Sequence, residues 1–206
     1  MLRRTLLLTP LALLLAGTAR AQAPAASAAD TDPRLAERSI GRADAPVTVQ
    51  EFFSLTCGHC AAFHNSTMPQ VKRDLVDTGR IRLVFRDFPL DQVALAAAVI
   101  ARSLPAAAYE PFISTLFSTQ NRWAFQRGGN PVTELKRLAA VAGLSGEQVD
   151  AALADEVLAR GVLEQRLAAQ QRYNIASTPS FVFGTRLIAG NIDFSRFAAL
   201  VAETRG

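Results

Sequence analysis

Two cysteines are all that the 206 residues contain, so at most one internal disulfide is available. No repeat of roughly 20–50 residues is present, which argues against solenoid and propeller architectures. No basic tract carries interleaved aromatics, so nucleic-acid binding has no support. The apolar run from Leu6 to Ala16 contains a proline and is too short to span a bilayer. Gly and Pro are near ordinary usage, which excludes a low-complexity chain. What remains is a chain of half hydrophobic composition, long enough for one domain, or one domain with an insertion.

The start reads as a secretory signal. Arg3 and Arg4 supply the basic region, and Leu6 to Ala16 the apolar one. Ala19-Arg20-Ala21 is a small-x-small cleavage site, with a second at Ala23. An uncleaved anchor is the alternative. No cysteine sits near the cleavage site, which argues against a lipoprotein. Arg3-Arg4-Thr5-Leu6-Leu7 leaves Sec and twin-arginine export both open. The formal net charge of +4 is partly a targeting artefact. Arg3, Arg4 and Arg20 leave with residues 1–21, which takes 22 basic residues to 19 against 18 acidic ones.

An even cysteine count in an exported chain usually signals a structural bridge. The spacing here argues otherwise. Cys57-Gly58-His59-Cys60 closes a minute loop, and the entropic benefit of a disulfide grows with loop length. Close spacing suits a bond that opens and closes.

Val47 to Phe53 is β-branched and aromatic and reads as a buried strand. A helical stretch follows from Cys57 to about Asp77, with a kink expected at Met68-Pro69 and an end at Thr78-Gly79. Ile81 to Arg86 alternates as a strand does, with Arg82 and Arg86 on a solvated face. From Asp91 to about Tyr173 the pattern is helical, with Val93, Ala97, Ile100 and Leu104 on one face. Pro105, Pro111, Gly128-Gly129 and Gly143 punctuate it. Thr133 to Leu135 and Ser145 to Glu147 look like helix starts. Ser180 to Phe183 and Leu187 to Ala189 read as a hairpin around Gly184-Thr185-Arg186. A last helix runs from about Asp193 to Thr204. Without the helical block the order is β-α-β-β-β-α, a small mixed sheet with helices on both faces. Phe52, Phe53, Phe63, Phe181 and Phe183 are read as core, and Trp123 as packing in the helical block.

Only a thiolate attacks a disulfide efficiently, and a free thiol near pKa 8.5 is mostly protonated at neutral pH. Cys57 follows a strand and opens a helix, where unpaired N–H groups favour an anion. That effect is worth about 0.3–2 kcal/mol, so a shift of three pH units needs help. His59 is the candidate helper, as a donor or as an imidazolium; an incidental loop residue is the alternative. Cys60 lies one turn on, on the same face, and can close the bond.

Glu51-Phe52-Phe53-Ser54, Cys57-Gly58-His59-Cys60 and Phe63 resemble the strand–dithiol–helix signature of the DsbA-type branch of the thioredoxin superfamily. Thr178-Pro179-Ser180-Phe181 resembles its second signature. The resemblance covers roughly residues 40–204. It implies an α/β thioredoxin fold with a helical subdomain inserted between the second strand and a cis-proline strand. Its expected organisation is a signal over 1–21 and a flexible leader over 22–44. Half-folds over 45–90 and 174–206 then flank an insertion over 91–173.

By this resemblance Cys57 is the attacking cysteine and Cys60 the resolving one. Thr178 and Pro179 line a substrate groove with Gly58, and the Thr178-Pro179 bond is cis rather than an ordinary trans turn. Glu51 is a buried acid that relays a proton to or from Cys60, with an ionised strand-edge residue as the alternative. His64 is read as a surface or groove residue rather than a ligand. The resemblance implies no cofactor beyond the redox-active Cys57–Cys60 disulfide. It implies reduced exported proteins as clients, a DsbB-like membrane partner for reoxidation, a periplasmic location and a monomer. Gly58-His59, in place of the Pro-His common in DsbA, is the dipeptide typical of protein disulfide isomerases and keeps an isomerase or reductase open. A Cys57/Cys60/His64 metal module is a further reading, although structural zinc ordinarily takes four protein ligands.

Overall fold

The computed structural model describes residues 32–204; the expected signal segment lies outside them. A five-stranded sheet runs in the order β1-β3-β2-β4-β5. Its strands are β1 (Arg38–Ile40), β2 (Val47–Phe53), β3 (Ile81–Asp87), β4 (Ser180–Phe183) and β5 (Arg186–Ala189). β2 and β3 are parallel, joined by a helical crossover; β2–β4, β4–β5 and β1–β3 are antiparallel. The bare order of strand, crossover, strand, hairpin and helix matches the pattern read from the sequence.

β2 lies inside the sheet, where Val47, Val49, Phe52 and Phe53 are buried and Thr48 at its start is exposed. Val47, Val49, Glu51 and Phe53 share one face by alternation. The apolar members of that set join the main core with Phe63, Phe181 and Phe197. Phe52 points the other way and packs with Phe88, Ile175 and Val182. Alternation therefore delivers Glu51 to the face on which the crossover helix lies.

That crossover consists of α1 (Gly58–Ser66), α2 (Met68–Val71) and a π-helical turn over Lys72–Val76. Pro69 falls in the first turn of α2, where its missing N–H costs nothing, so the chain breaks and restarts at Thr67. The insertion holds α3 (Gln92–Ser103), α4 (Ala106–Ser118), α5 (Gln120–Trp123), α6 (Pro131–Val141), α7 (Gly146–Ala154) and α8 (Glu156–Tyr173). Ser145 and Gln148 cap α7 reciprocally. Trp123 is buried and donates to the Leu116 carbonyl at 2.8 Å. The last helix is α9 (Phe194–Thr204). Among the described residues no helix is long and apolar enough to cross a membrane.

Three local expectations are corrected. Pro111 does not punctuate the insertion: it sits inside α4. Tyr109, Phe112, Ile113 and Leu116 bury one face of that helix, which outweighs the roughly 3 kcal/mol an internal proline costs. Residues 33–40 are not a flexible leader. Leu35 seats against Gly161 of α8, where a side chain on the glycine would collide with it. Arg102 donates to the carbonyls of Arg34 and Ala36, Gln165 to that of Leu35, and Arg34 pairs with Asp155. β1 then adds to the sheet edge beside β3. Arg82 and Arg86 are not simply solvated, because Glu37 of that same segment pairs with both.

Candidate active site

Cys57 is the N-cap of α1, with extended backbone and no side-chain capping bond of its own. Its sulfur makes no capping bond and lies at a helix end rich in unpaired N–H groups. The thiol is half-buried and held down to about 5 from an ordinary 9.0. A helix terminus alone supplies at most about 2 kcal/mol, or roughly one and a half pH units. The leading cause is the hydrogen bond from the Cys60 thiol, opposed by partial burial. Thr178 and the main-chain N–H groups of Cys60 and His59 add to it. His59 enters through its backbone. Its ring is exposed and makes no hydrogen bond among the described residues.

Cys60 is the opposite case. It is completely buried, and burial pushes its thiol far above the ordinary range. The Cys57 contact and the Glu51 charge push the same way. One sulfur is thus accessible and anionic at neutral pH, while its neighbour one turn on keeps its proton.

Thr178 and Pro179 face this pair. Their peptide bond is cis, both residues are buried, and the Cys57 thiol donates to the Thr178 carbonyl at 3.2 Å. Once Cys57 is a thiolate it has no proton for that carbonyl. The Thr178 hydroxyl is buried without a hydrogen-bond partner and is the donor then available. Gly58 is exposed beside the pair and lines a cleft of about 380 Å³ between α1 and the α4–α5 corner.

A thioredoxin family model matches residues 34–203, nearly the whole described chain. The chain belongs to the thioredoxin family. A provisionally named protein-disulfide oxidoreductase of Rickettsia prowazekii is 29% identical over 157 residues, covering 75% of this chain and 57% of that one. The chain spans about half the length of such curated relatives. Alpha-DsbA1 of Wolbachia pipientis superposes with a TM-score of 0.76 at 25% identity, over 82% of this chain and 91% of that one. This makes the chain a DsbA-type member of the thioredoxin superfamily. BdbD of Bacillus subtilis shares the fold, with a TM-score of 0.72 at 21% identity over 82% and 92% of the two chains.

Beneath the dithiol of this DsbA-type chain, Glu51 is wholly buried on β2. Its Oε1 lies 2.9 Å from Nε2 of His64, whose side chain is only 1% exposed. Of the surface or groove position expected for His64, the surface alternative is overturned, while the residue does border a cleft. The imidazole stacks on Phe117 at 4.1 Å between centroids and meets Phe53 and Phe63 edge-on. The signal was present: His64 follows Cys60 by four residues, so both lie on the buried face of α1. With Nε2 committed to Glu51, His64 is not grouped with the two cysteines. Among the described residues no three or more of His, Cys, Asp and Glu gather as a metal site.

The insertion braces the loop before Cys57 from two sides. Asp91, the N-cap of α3, accepts from the Thr56 hydroxyl at 2.7 Å, and Thr56 meets the Ser54 hydroxyl at 3.2 Å. Gln120 of α5 is buried and donates to the carbonyls of Leu55 at 2.8 Å and Cys57 at 3.1 Å. Neither brace has a signature in the sequence, because each depends on where the inserted helices dock.

Proposed function

We propose that this protein is a thiol:disulfide oxidoreductase that introduces disulfides into exported proteins. The observation that carries the reading is the asymmetry of Cys57 and Cys60. A client thiolate attacks the Cys57–Cys60 disulfide at Cys57, and Cys60 leaves and takes up a proton. A second client thiolate then attacks the client sulfur of the mixed disulfide. The client disulfide forms, and Cys57 departs as a thiolate that is stable at neutral pH. A stabilised Cys57 thiolate favours the dithiol form, which makes the disulfide an oxidant. Cys57, Cys60 and Glu51 are the proposed reacting groups, with Gly58, Thr178 and Pro179 as the peptide-facing rim. His59 contributes to thiolate stability at least through its main chain.

Reoxidation by a DsbB-like membrane protein and a periplasmic location after removal of residues 1–21 complete the proposal. They are supported by the likeness to DsbA-type proteins and by the basic and apolar start of the chain. Gly58-His59 keeps a second reading in place, an isomerase or reductase.

The glutathione redox equilibrium of the Cys57–Cys60 pair separates the two readings. An oxidase is expected near the oxidising end of the range, roughly −120 mV, and a reductase near the thioredoxin value of roughly −270 mV. A value at the reducing end, together with insulin reduction and no oxidation of a reduced peptide, sinks the oxidase reading.

A further inference from the structure

His64 is a buried ionisable group that the exchange chemistry above leaves without a task. One ring nitrogen faces Glu51 at 2.9 Å. The other, Nδ1, is buried and has no hydrogen-bond partner. Glu51 is in the complementary position: Oε1 meets His64, while Oε2 is buried without a partner. Two unpaired buried polar atoms, one of them on a ring caged by Phe53, Phe63, Phe85 and Phe117, are costly unless they serve a purpose.

His64 also lines a cleft of about 600 Å³ with Asn65, Lys72, Ser114, Thr115 and Ser118. This cleft opens between the crossover helices and α4, whereas Thr178 and Pro179 face the sulfurs from the strand β4 side. The groups facing His64 are few. β2 presents Glu51, its own helix presents Cys60, and β3 and α4 present Phe85 and Phe117. In the cleft, Lys72 is tied to Glu110 and Arg73 to Asp74, with Asp77 also on the wall. Asp87 is occupied elsewhere, by Arg102 and Tyr109.

We propose that His64 is a positioning residue that passes protons between Glu51 and water in this cleft, so that Cys60 exchanges its proton while a bound partner covers Cys57. The inference rests on the thiol-exchange reading. When a client thiolate opens the disulfide, Cys60 leaves as a thiolate and takes a proton from Glu51. Glu51 recovers one through His64 Nε2, and His64 is resupplied at Nδ1 from the cleft. When Cys57 attacks an incoming disulfide, the proton of Cys60 travels the same way outward. The Cys60 thiolate then forms the bond to Cys57 and expels the partner thiolate. A buried thiol far above its ordinary pKa needs such a base close by.

The test uses the mature protein carrying a glutathione mixed disulfide on Cys57, whose resolution by Cys60 is timed by stopped flow. His64→Phe fills the aromatic cage without a ring nitrogen and is expected to slow resolution by at least about tenfold, less than the roughly 10²–10⁴-fold of a group that touches the reacting atom because His64 acts through Glu51. Alkylation of Cys57 in the same variant is expected to keep its rate and pH profile. His64→Ala opens the floor toward the cleft, and added imidazole is expected to restore its rate in proportion to concentration. Resolution at the wild-type rate in a folded His64→Phe overturns the inference. So does a loss in His64→Ala that imidazole leaves untouched, which marks a packing role. If the wild-type pair does not exchange with glutathione at all, the thiol-exchange reading fails instead.

Discussion

The dithiol has a rim and a floor, and they are built by different means. The rim is Cys57, the Thr178-Pro179 bond and the exposed Gly58-His59 pair. Among its contacts are main-chain groups: the N–H groups of His59 and Cys60 and the carbonyl of Thr178. The floor is Cys60, Glu51 and His64, all buried, and its contacts are between ionisable side chains. Main-chain groups do not titrate, so they hold a fixed charge pattern toward the sulfur that meets a partner. The floor must change protonation each time Cys60 changes bonding, which only titratable groups can do. The two are linked at one point. The Cys60 thiol is the largest cause of the low Cys57 pKa, so the floor sets the charge of the rim.

Removing the rim sulfur should have the largest effect. Cys57→Ser is expected to abolish both glutathione exchange and peptide oxidation, because Cys60 is too buried to be attacked. Detectable turnover in this variant breaks the division of labour outright. Cys60→Ala comes next and tests the link. It removes the strongest donor to Cys57, and the midpoint of Cys57 alkylation against pH is expected to rise from about 5 by at least about one unit. Mixed disulfides formed by this variant should persist, visible by mass spectrometry. A midpoint that stays near 5 means the rim holds its charge without the floor.

The pH dependence of stability sharpens the same point. The folded thiol of Cys57 lies near 5, below its ordinary 9.0. The stability this gives the reduced protein is full above the ordinary value and is lost as pH falls through about 5. Reduced protein should therefore lose melting temperature relative to oxidised protein between pH 7.5 and pH 4. Thermal melts of both forms at the two values check it, and a constant difference counts against a stabilised thiolate.

How much of this was legible in the sequence follows the same division. The rim is local in the chain or marked by proline, so Cys57, Cys60 and Thr178-Pro179 stood out before any fold was known. Glu51 was reachable because strand alternation from Val47 puts it on a definite face. His64 is hard to place from the half-buried Cys57, which lies seven residues before it. Counted from Cys60 it falls on the buried side. β1 is not legible because three residues with an arginine and a serine carry no strand pattern; they pair with β3, and the segment before them is held by Arg102 and Gly161, far along the chain. Pro111 was misread because a rule about single residues gave way to the packing of a whole helix face.

Smaller changes at the rim should give smaller effects. Thr178→Val removes the hydroxyl and keeps the carbonyl and the shape. It is expected to raise the alkylation midpoint of Cys57, by less than Cys60→Ala does, since Thr178 ranks below Cys60 among the causes. A larger rise than in Cys60→Ala would make the rim the main source of the charge and invert the comparison.

Gln120→Ala carries the smallest expected effect and asks whether the insertion merely supports the rim. The amide holds two carbonyls, those of Leu55 and Cys57, and nothing in its contacts touches a sulfur. Its loss leaves the buried Leu55 carbonyl without a donor, a cost of about 1–3 kcal/mol, while the Cys57 carbonyl keeps the Ala61 N–H. That cost should fall on stability, as a lower melting temperature, and only weakly on chemistry. The alkylation midpoint of Cys57 is expected to stay near 5, because its causes are Cys60, Thr178 and the first N–H groups of α1. If the midpoint moves while the protein stays folded, the docking of α5 tunes the N-terminus of α1. The insertion would then belong to the rim rather than to its scaffold.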